Sequence, residues 1–422
     1  MANVGSVTLA GAKRTPLLTW VAAVICCVAV TDGCAHVSNH GGVPPSTPPP
    51  STLVLADRID HLDGVVAAEP MVVEHPDGTL FVSGYGGPGP NLWRSQDHGT
   101  TWTRVNVGSA ADGAIGNSDV DLAIAHDGTL YFVAMGFDGY KLEGRSIAIG
   151  VTSNEGATWR WTMLSKERFD DRPWVAVAAD GTAHVIWNDG SGVRHAVSRD
   201  GGAIWTERPR IHHQGGSSHL AVGPNGEIAV RVTPLSASTK KFDPGVNLIA
   251  VSTDGGATWQ DHPAPDQRQW SASSFNDFPP RWVEPLAWDA EGALYSFWAD
   301  GKVLWLARSL DRGETWTSWR VAEGDEVSYF PYLTGRGRGE LAATWFSGRG
   351  ETLQAHVARF DVRNGATPPR IVELPFRPDT RSTAGEYLAV TFLKTGGLSV
   401  VSPLANGRER HWGFSWWRFE AR

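Results

Sequence analysis

Five short segments of the chain repeat one pattern: Ser or Thr, then Asp or Asn two positions later, then Gly and a closing Trp. They begin at Ser95, Thr152, Ser198, Ser252 and Ser309 and end at Trp102, Trp159, Trp205, Trp259 and Trp316. The acidic or amide side chain can accept hydrogen bonds from N–H groups later in a turn, and Gly takes a positive φ at no steric cost. Each segment therefore predicts a hairpin turn, and their recurrence predicts a repeat architecture.

A second repeat runs in phase with the first. A polar residue and a Gly precede an alternating apolar run in seven places, which indicates a tight turn feeding a half-buried strand. The glycines are Gly78, Gly128, Gly181, Gly226, Gly292, Gly339 and Gly397. Their spacing leaves room for four short strands per interval, the size of one propeller blade. The sequence predicts an all-β propeller of four-stranded antiparallel blades, with seven blades favoured over six.

Two details of this count concern the last blades. The sixth blade has a degenerate copy of the Trp-containing turn, around Asp361 to Thr367, and the seventh ends the chain without room for a fourth strand. The segment from Leu53 to Ile59 precedes blade one and has the length of a strand. We therefore expect this N-terminal segment to supply the outer strand of blade seven and close the ring.

The first repeat resembles the Asp boxes of sialidase-like, or BNR-repeat, β-propellers, and the resemblance covers residues 53–422. It implies a glycan-directed protein, most prominently an exo-α-sialidase, whose active site lies on the face opposite the Asp boxes. The box carboxylates themselves fit a structural role better than a catalytic one. These are Asp97, Asp200, Asp254 and Asp311, with Asn154 in the second box.

The N-terminal region predicts export. Residues 1–33 have the layout of a secretory signal peptide, with basic residues before a short apolar run. Cys34 lies in a sequence that resembles a bacterial lipoprotein box, and residues 34–52 form a Pro/Ser/Thr-rich tether. We expect a cell-envelope lipoprotein (outer membrane or cell surface), with a cleaved, freely secreted protein as the alternative. The domain boundaries are thus 1–33, 34–52 and 53–422.

Composition limits the partners. The formal net charge of −8 is mild for 422 residues and disfavours nucleic acid or an anionic membrane surface. Membrane contact is expected only through the lipid anchor, and the propeller is expected to be a monomer. All three cysteines precede residue 35, which excludes disulfides and cysteine-bound metals from the propeller. No motif indicates a metal or another cofactor.

The predicted blade order places a candidate site at one end of the central channel. Both kinds of turn lie on one face, so the longer loops, where ligand sites gather, lie on the other. Polar residues recur there near nine positions before the turn glycines: Glu69, Asp119, Arg172, Ser217 with His219 nearby, Glu284 and Tyr387. The crossing from Asp261 to Trp282 contributes aromatic residues including Trp270, which fits either sugar stacking or packing within the loop.

The resemblance assigns chemistry to that face. A sialidase holds the substrate carboxylate with three arginines, for which the candidates are Arg172, Arg281, Arg349 and Arg381. It also needs an acid, here Asp119 or Asp171, and a Tyr nucleophile beside a Glu, here Tyr332 or Tyr387 with Glu284 or Glu386. The Phe/Tyr-Arg-Ile-Pro segment of sialidases is missing, because the nearest string is Asp57-Arg58-Ile59-Asp60.

Two alternative functions remain open at the sequence level. A seven-bladed polysaccharide lyase would use a His base with Tyr and Arg, for which His212, His213 and His219 and the pair Tyr140 and Arg145 are candidates. A non-catalytic propeller would bind an envelope glycan or protein on a rigid platform.

Overall fold

The computed structural model describes residues 52–213, 215–236, 241–242, 244–271, 284–348, 354–362, 369–377, 387–406 and 411–422. Across these ranges the chain forms seven four-stranded antiparallel sheets arranged as a β-propeller. The prediction of an all-β, seven-bladed propeller is confirmed. The single helical element of the described residues is a 3₁₀ turn, Ala110–Asp112, and none of their helices is long and apolar enough to cross a membrane.

The first four blades follow one another in chain order after an initial strand, β1 (Leu53–Leu62). Blade one contains β2 (Val72–Glu74), β3 (Leu80–Gly84), β4 (Asn91–Ser95) and β5 (Thr103–Arg104). Blade two contains β6 (Ser118–Ile124), β7 (Leu130–Asp138), β8 (Glu143–Thr152) and β9 (Arg160–Ser165). Blade three contains β10 (Asp171–Val177), β11 (Ala183–Asp189), β12 (Gly192–Ser198) and β13 (Thr206–Glu207). Blade four contains β14 (Gly216–Val222), β15 (Ile228–Thr233), β19 (Leu248–Ser252) and β20 (Gln260–Pro263).

Blade four carries two additional short ribbons in its connections. One pairs β16 (Leu235–Ser236) with β17 (Lys241–Phe242), and the other pairs β18 (Gly245–Val246) with β21 (Gln269–Trp270). Blade five contains β22 (Leu286–Trp288), β23 (Leu294–Asp300), β24 (Val303–Ser309) and β25 (Thr317–Glu323). Blade six contains β26 (Ser328–Arg336), β27 (Glu340–Ser347), β28 (Gln354–Asp361) and β29 (Arg370–Phe376). Blade seven begins with β30 (Val390–Phe392), β31 (Leu398–Asn406) and β32 (His411–Ala421).

The ring is closed by the N-terminal strand, as the sequence predicts. Strand β1 pairs antiparallel with β32, from Leu53 opposite Ala421 to Leu62 opposite Gly413. Side chains support the pairing, because Arg418 Nε donates to Asp57 Oδ2 at 2.7 Å. The two ends of the propeller chain therefore share one sheet, and no open edge is left between the first and last blades.

Both repeats form the predicted turns. The first-to-second strand turns place their glycines at φ values between 61° and 97°. In blade seven this residue is Gly396, at φ 92°, and not Gly397 as the sequence count assumes. The correction matters because it moves Tyr387 from ten to nine residues before its turn glycine, in step with the other blades.

The Asp boxes join the third and fourth strands of blades one to five. In the first box, Ser95 Oγ accepts from Gly99 N at 2.8 Å and Asp97 Oδ1 accepts from Thr101 N at 2.8 Å. The closing Trp102 packs between blades, with its ring centroid 5.1 Å from that of Phe414 in blade seven. The Asp-box carboxylates therefore have the predicted structural role. The degenerate sixth copy falls largely outside the described residues.

Arginines tie successive boxes together on this face. Arg94 of blade one donates to the Glu155 carbonyl of the second box at 3.2 Å, and Arg160 of blade two donates to the Gly201 carbonyl of the third at 2.8 Å. Each bond satisfies a turn carbonyl that the box itself leaves without a backbone donor. The Asp-box face is thus a continuous structural rim.

Candidate functional site

The opposite end of the central channel is lined by the starts of the inner strands. Four of these strands begin with a register shift: between Ser118 and Val120, Asp171 and Trp174, Ser217 and His219, and Tyr329 and Tyr332. A bulge inserts extra backbone and re-aims a side chain, and bulges gather near functional sites. We call the described positions nine residues before the turn glycines the first ring: Glu69, Asp119, Arg172, Ser217, Phe330 and Tyr387.

Strained backbone marks three members of the first ring. Glu69, Arg172 and Phe330 adopt φ values of 44°, 49° and 51° and are buried. Non-glycine residues seldom enter this region, and such strain persists only where the surrounding structure holds it. Three equivalent positions in different blades share the distortion, which makes it a property of the channel end and not of one loop.

The first ring brings two of the sequence-predicted residues into contact. Arg172 Nη1 donates to Tyr387 Oη at 3.3 Å, although the residues belong to blades three and seven and are 215 positions apart. Both residues are buried, and Tyr387 also packs edge-on against Trp174, with ring centroids 5.2 Å apart. The bond therefore joins two blades across the channel.

Two carboxylates accompany this pair. The pKa of Asp119 is raised, first by desolvation and then by the negative charge of Asp171, while the Arg172 guanidinium opposes the shift. Asp119 is half-buried as a residue, and its Oδ1 accepts from Ser118 Oγ at 3.1 Å. A carboxyl with a raised pKa beside a second carboxyl and a cation is an arrangement suited to general acid chemistry.

A second ring lies two residues further along each inner strand: Met71, Asp121, Trp174, His219, Pro285, Tyr332 and Ala389. Trp174, His219 and Tyr332 form a chain of ring contacts, with centroids 5.1 Å and 5.7 Å apart. Burial lowers the pKa of His219 to about 4, and its Nδ1 accepts from Leu286 N at 3.4 Å. This aromatic layer fills the channel beneath the first ring.

Asp121 in the second ring was not among the sequence-predicted site residues. It accepts from Leu122 N at 2.8 Å and from Val175 N of the neighbouring inner strand at 2.9 Å. Despite these bonds, burial raises its pKa to about 7. Burial, together with the charge of Asp121, raises the pKa of Tyr332, which makes this phenol a poor nucleophile.

Glu284 belongs to a buried ion-pair group. It forms an ion pair with Arg231 Nη2, which also lies 3.2 Å from Asp266 Oδ1. Arg231 is fully buried on β15, and its Nη1 donates to Ser296 Oγ at 3.1 Å. Asp266 lies near the start of the crossing between blades four and five, and Glu284 lies near its end. Arg231 therefore contacts both ends of this crossing.

Trp270 is packed inside the protein and does not form a stacking surface. It is 2% exposed, and its Nε1 donates to Asn247 Oδ1 at 2.8 Å. Arg268 lies over its ring at 4.7 Å. Packing therefore accounts for Trp270, whereas residues 272–282 of the crossing lie outside the described residues.

The residues proposed for a lyase do not converge. The His219 ring is in the channel, whereas His212 bridges to Val193 on β12 and approaches Asp261 at 4.0 Å. Tyr140 is 95% exposed at the tip of the β7–β8 hairpin, and Arg145 is paired with Glu143 at 2.6 Å. Within the described ranges, no group of three or more His, Cys, Asp or Glu residues is arranged to hold a metal ion.

Several candidates fall outside the described residues. They are Arg281, Arg349, Arg381, Glu386 and the lipidation candidate Cys34. Of the four candidate carboxylate-binding arginines, the structure therefore places Arg172.

Comparisons with known proteins support the fold. No family model and no curated protein matches the chain. It is similar in structure to a fungal alcohol oxidase of the AA5 family (11% identity, 87% of this chain and 76% of that chain, TM-score 0.53). It is also similar to the GH74 xyloglucanase of Xanthomonas campestris (16% identity, 86% and 55%, TM-score 0.50). A third similar structure is the Hadza microbial sialidase Hz136 (17% identity, 68% and 65%, TM-score 0.45).

These similarities leave the chemistry undetermined. The chain spans 65% of the sialidase and 55% of the xyloglucanase. The two structures with a TM-score of 0.5 or more are an oxidase and a xyloglucanase, so one architecture accompanies different reactions. Function has to be argued from the channel end itself.

Proposed function

We propose that the protein is a glycan-directed hydrolase whose active site is the channel end formed by the first ring, with an exo-α-sialidase reaction as its specific activity. The observation that carries the proposal is the joint placement of Arg172, Tyr387 and Asp119 at this end. A cation for the substrate carboxylate, a phenol and a carboxylic acid are the three kinds of group this reaction uses.

The roles follow from the chemistry of each group. Asp119, with its raised pKa, donates a proton to the glycosidic oxygen as the bond to the anomeric carbon breaks. The Tyr387 oxygen attacks that carbon as its phenolic proton passes to Glu386, the remaining Glu candidate for the nucleophile pair. Water then attacks the same carbon and gives a proton to the Asp119 carboxylate, while the bond to the Tyr387 oxygen breaks and this oxygen takes its proton back from Glu386. Arg172 orients the substrate carboxylate, and its bond to Tyr387 fixes the nucleophile relative to the bound sugar. Glu284 is excluded from the nucleophile pair because it is held by Arg231.

The proposed location of the protein is the cell envelope. The signal-peptide layout, the Cys34 lipoprotein-like sequence and the tether fit a hydrolase held at the cell envelope, where glycoconjugates are accessible. Among the described residues, His219 is the imidazole placed in the channel, and it is buried with its pKa lowered to about 4, which does not favour the lyase alternative.

A fluorogenic α-sialoside tests the proposal. We expect the wild-type protein to release the fluorophore and Asp119→Asn to lower kcat by at least about 100-fold. Asp127→Asn is the matched control, since Asp127 is exposed in the turn at the other end of β6, and we expect it to retain full activity. Because the protonated acid is required, wild-type kcat should fall as pH rises through the raised pKa of Asp119.

Four results would contradict the proposal. Absence of turnover on every sialoside would remove the specific activity, and equal turnover by Asp119→Asn and wild type would remove the assigned acid. Release of unsaturated uronates from an anionic polysaccharide would favour the lyase, and glycan binding without any turnover would favour a non-catalytic platform.

A further inference from the structure

A cavity of about 550 Å³ lies away from the channel end, between blades one and two. One wall is the loop that joins β3 to β4 and contains Pro88 and Pro90, and the other is the crossing from Arg104 to Ala114. The cavity shares no residue with either ring. Its volume lies in the range of small-molecule sites, and the two prolines give it a rigid apolar wall.

Arg104 is the only charged residue among those that line this cavity. Its Nη2 donates to Asn91 Oδ1 at 2.6 Å, and no ion pair involves Arg104 within the described residues. Asn91 is 3% exposed, and its amide nitrogen donates to the Val66 carbonyl at 3.2 Å, which fixes the amide oxygen toward the arginine. The buried amide therefore holds the guanidinium in place without neutralising its charge.

The neighbouring acid is bound elsewhere. Asp112, the nearest acid along this crossing, accepts from Ser109 N at 2.8 Å and Ser109 Oγ at 2.7 Å, which lowers its pKa, and in the described residues it forms no ion pair with Arg104. Arginines on the Asp-box face, such as Arg94 and Arg160, instead donate to carbonyls of the next blade. In the described residues, Arg104 forms neither an ion pair with an acid nor a hydrogen bond to a carbonyl of the next blade. Its guanidinium is held at the cavity by the uncharged side chain of Asn91.

We propose that this cavity is an accessory binding site for a carboxylate-bearing sugar residue of a glycan chain. The planar guanidinium of Arg104 binds the carboxylate, and the apolar face of the pyranose ring packs on Pro88 and Pro90. Asn106 offers its side-chain nitrogen to a ring hydroxyl, because its oxygen already accepts from Gly108 N at 3.0 Å. The choice of a sugar as the carboxylate-bearing ligand rests on the proposed glycan-directed function. The assignment of an anion-binding site to Arg104 does not rest on that function.

Affinity electrophoresis of the folded protein tests the site with three polymers: polygalacturonate, dextran sulfate and neutral dextran. We expect polygalacturonate to be bound and Arg104→Ala to weaken this binding at least about tenfold, with partial recovery in Arg104→Lys. Arg312→Ala is the matched control, an exposed arginine in the fifth Asp box on the other face, and should bind like wild type. Asp119→Asn should also bind like wild type.

The outcomes separate this site from the proposed activity. Equal weakening by Arg104→Ala and Arg312→Ala, stronger binding of dextran sulfate than of polygalacturonate, or no binding of any polymer would each overturn the accessory site. Loss of sialoside turnover in Asp119→Asn with unchanged polygalacturonate binding supports both proposals. Absence of any turnover with Arg104-dependent binding overturns the proposed function and leaves the accessory site supported.

Discussion

The two ends of the blades differ in how closely their copies agree. At the Asp-box end, the first Ser or Thr of all five boxes accepts from the Gly N–H at 2.7–3.0 Å. At the channel end, the six described first-ring positions hold six different residue types. The backbone repeats at both ends, so the Asp-box end reuses the same kinds of side chain in its copies, whereas the channel end carries side chains specific to one blade. The varied end is free to serve binding and catalysis.

The pKa values of the carboxyl groups also differ between the two ends. Hydrogen bonds from turn hydroxyl and N–H groups lower the pKa of the exposed Asp97 and Asp254 to about 2. Burial raises the pKa of Asp121 to about 7 at the channel end, and raises that of Asp119 as well. The Asp-box end therefore stabilises ionised carboxylates, whereas the channel end keeps carboxyl groups that exchange protons nearer neutral pH.

The largest expected effect on stability is at the channel end, in the buried group formed by Arg231, Glu284 and Asp266. Arg231→Met leaves two buried carboxylates without their cation, and we expect the free energy of unfolding to fall by about 3–5 kcal/mol. Denaturant unfolding monitored by tryptophan fluorescence measures this change. Arg312→Met, an exposed arginine on the other face, serves as control and should change stability by less than about 0.5 kcal/mol.

A double variant sharpens this test. Arg231→Met with Glu284→Gln removes one of the stranded charges, so part of the lost stability should return. If Arg231→Met were as stable as wild type, the buried group would not hold the crossing between blades four and five, and the two ends would not differ in the way described.

The sequence predicted the repeated features better than the contacts between blades. Periodicity fixed the blade number, the closing strand and the Asp boxes, and it placed Arg172 and Tyr387 at equivalent positions whose side chains meet. It did not reveal that Glu284 pairs with Arg231, because that contact depends on how a long crossing folds back over β15. An arginine inside the buried run Ile228–Thr233 was the available signal, since a buried cation requires a partner.

The second prediction concerns a buried histidine pair on the Asp-box side of blade three. His184 Nδ1 lies 3.1 Å from His195 Nε2, and the His195 ring packs against Trp259 of the fourth box. Burial lowers the pKa of His184 to about 4 and lowers that of His195 as well. Unlike the box carboxylates, these groups must be uncharged in the folded protein.

The sign of the pH effect follows from these shifts. The unfolded chain binds protons on His184 below about pH 6.5, whereas the folded protein does so only near pH 4. Lowering the pH from 7.5 to 5 should therefore cost about 2 kcal/mol through His184 alone. Asp121 acts in the opposite direction, because its raised pKa favours the folded state at lower pH.

The comparison of wild type with His184→Gln isolates this contribution, since Asp121 is common to both proteins. We expect unfolding free energies at pH 7.5 and 5 to show a smaller loss in the variant, by about the amount assigned to His184. Identical pH dependence in the two proteins would mean that His184 has the same pKa in the folded and unfolded states and contributes nothing to the pH effect.

The smallest expected effect tests the uniformity of the Asp-box end. Asp254 Oδ1 accepts from Thr258 N at 2.9 Å, and Asn154 Oδ1 makes the equivalent bond to Thr158 N at 2.9 Å in the second box. An amide thus already performs this role in the same protein. Asp254→Asn should be nearly neutral at pH 7, whereas Asp254→Ala should cost about 1 kcal/mol by leaving turn N–H groups without their acceptor.

This difference should itself depend on pH. The pKa of Asp254 is lowered to about 2, so its contribution is present above about pH 4 and is lost as the pH falls toward 2, and Asp254→Asn lacks that dependence. Sialoside turnover per folded molecule should be unchanged in both variants, because the fourth box lies on the face away from the first ring. A loss of turnover in Asp254→Asn would show that the uniform end also takes part in catalysis, and the division between a structural end and a functional end would fail.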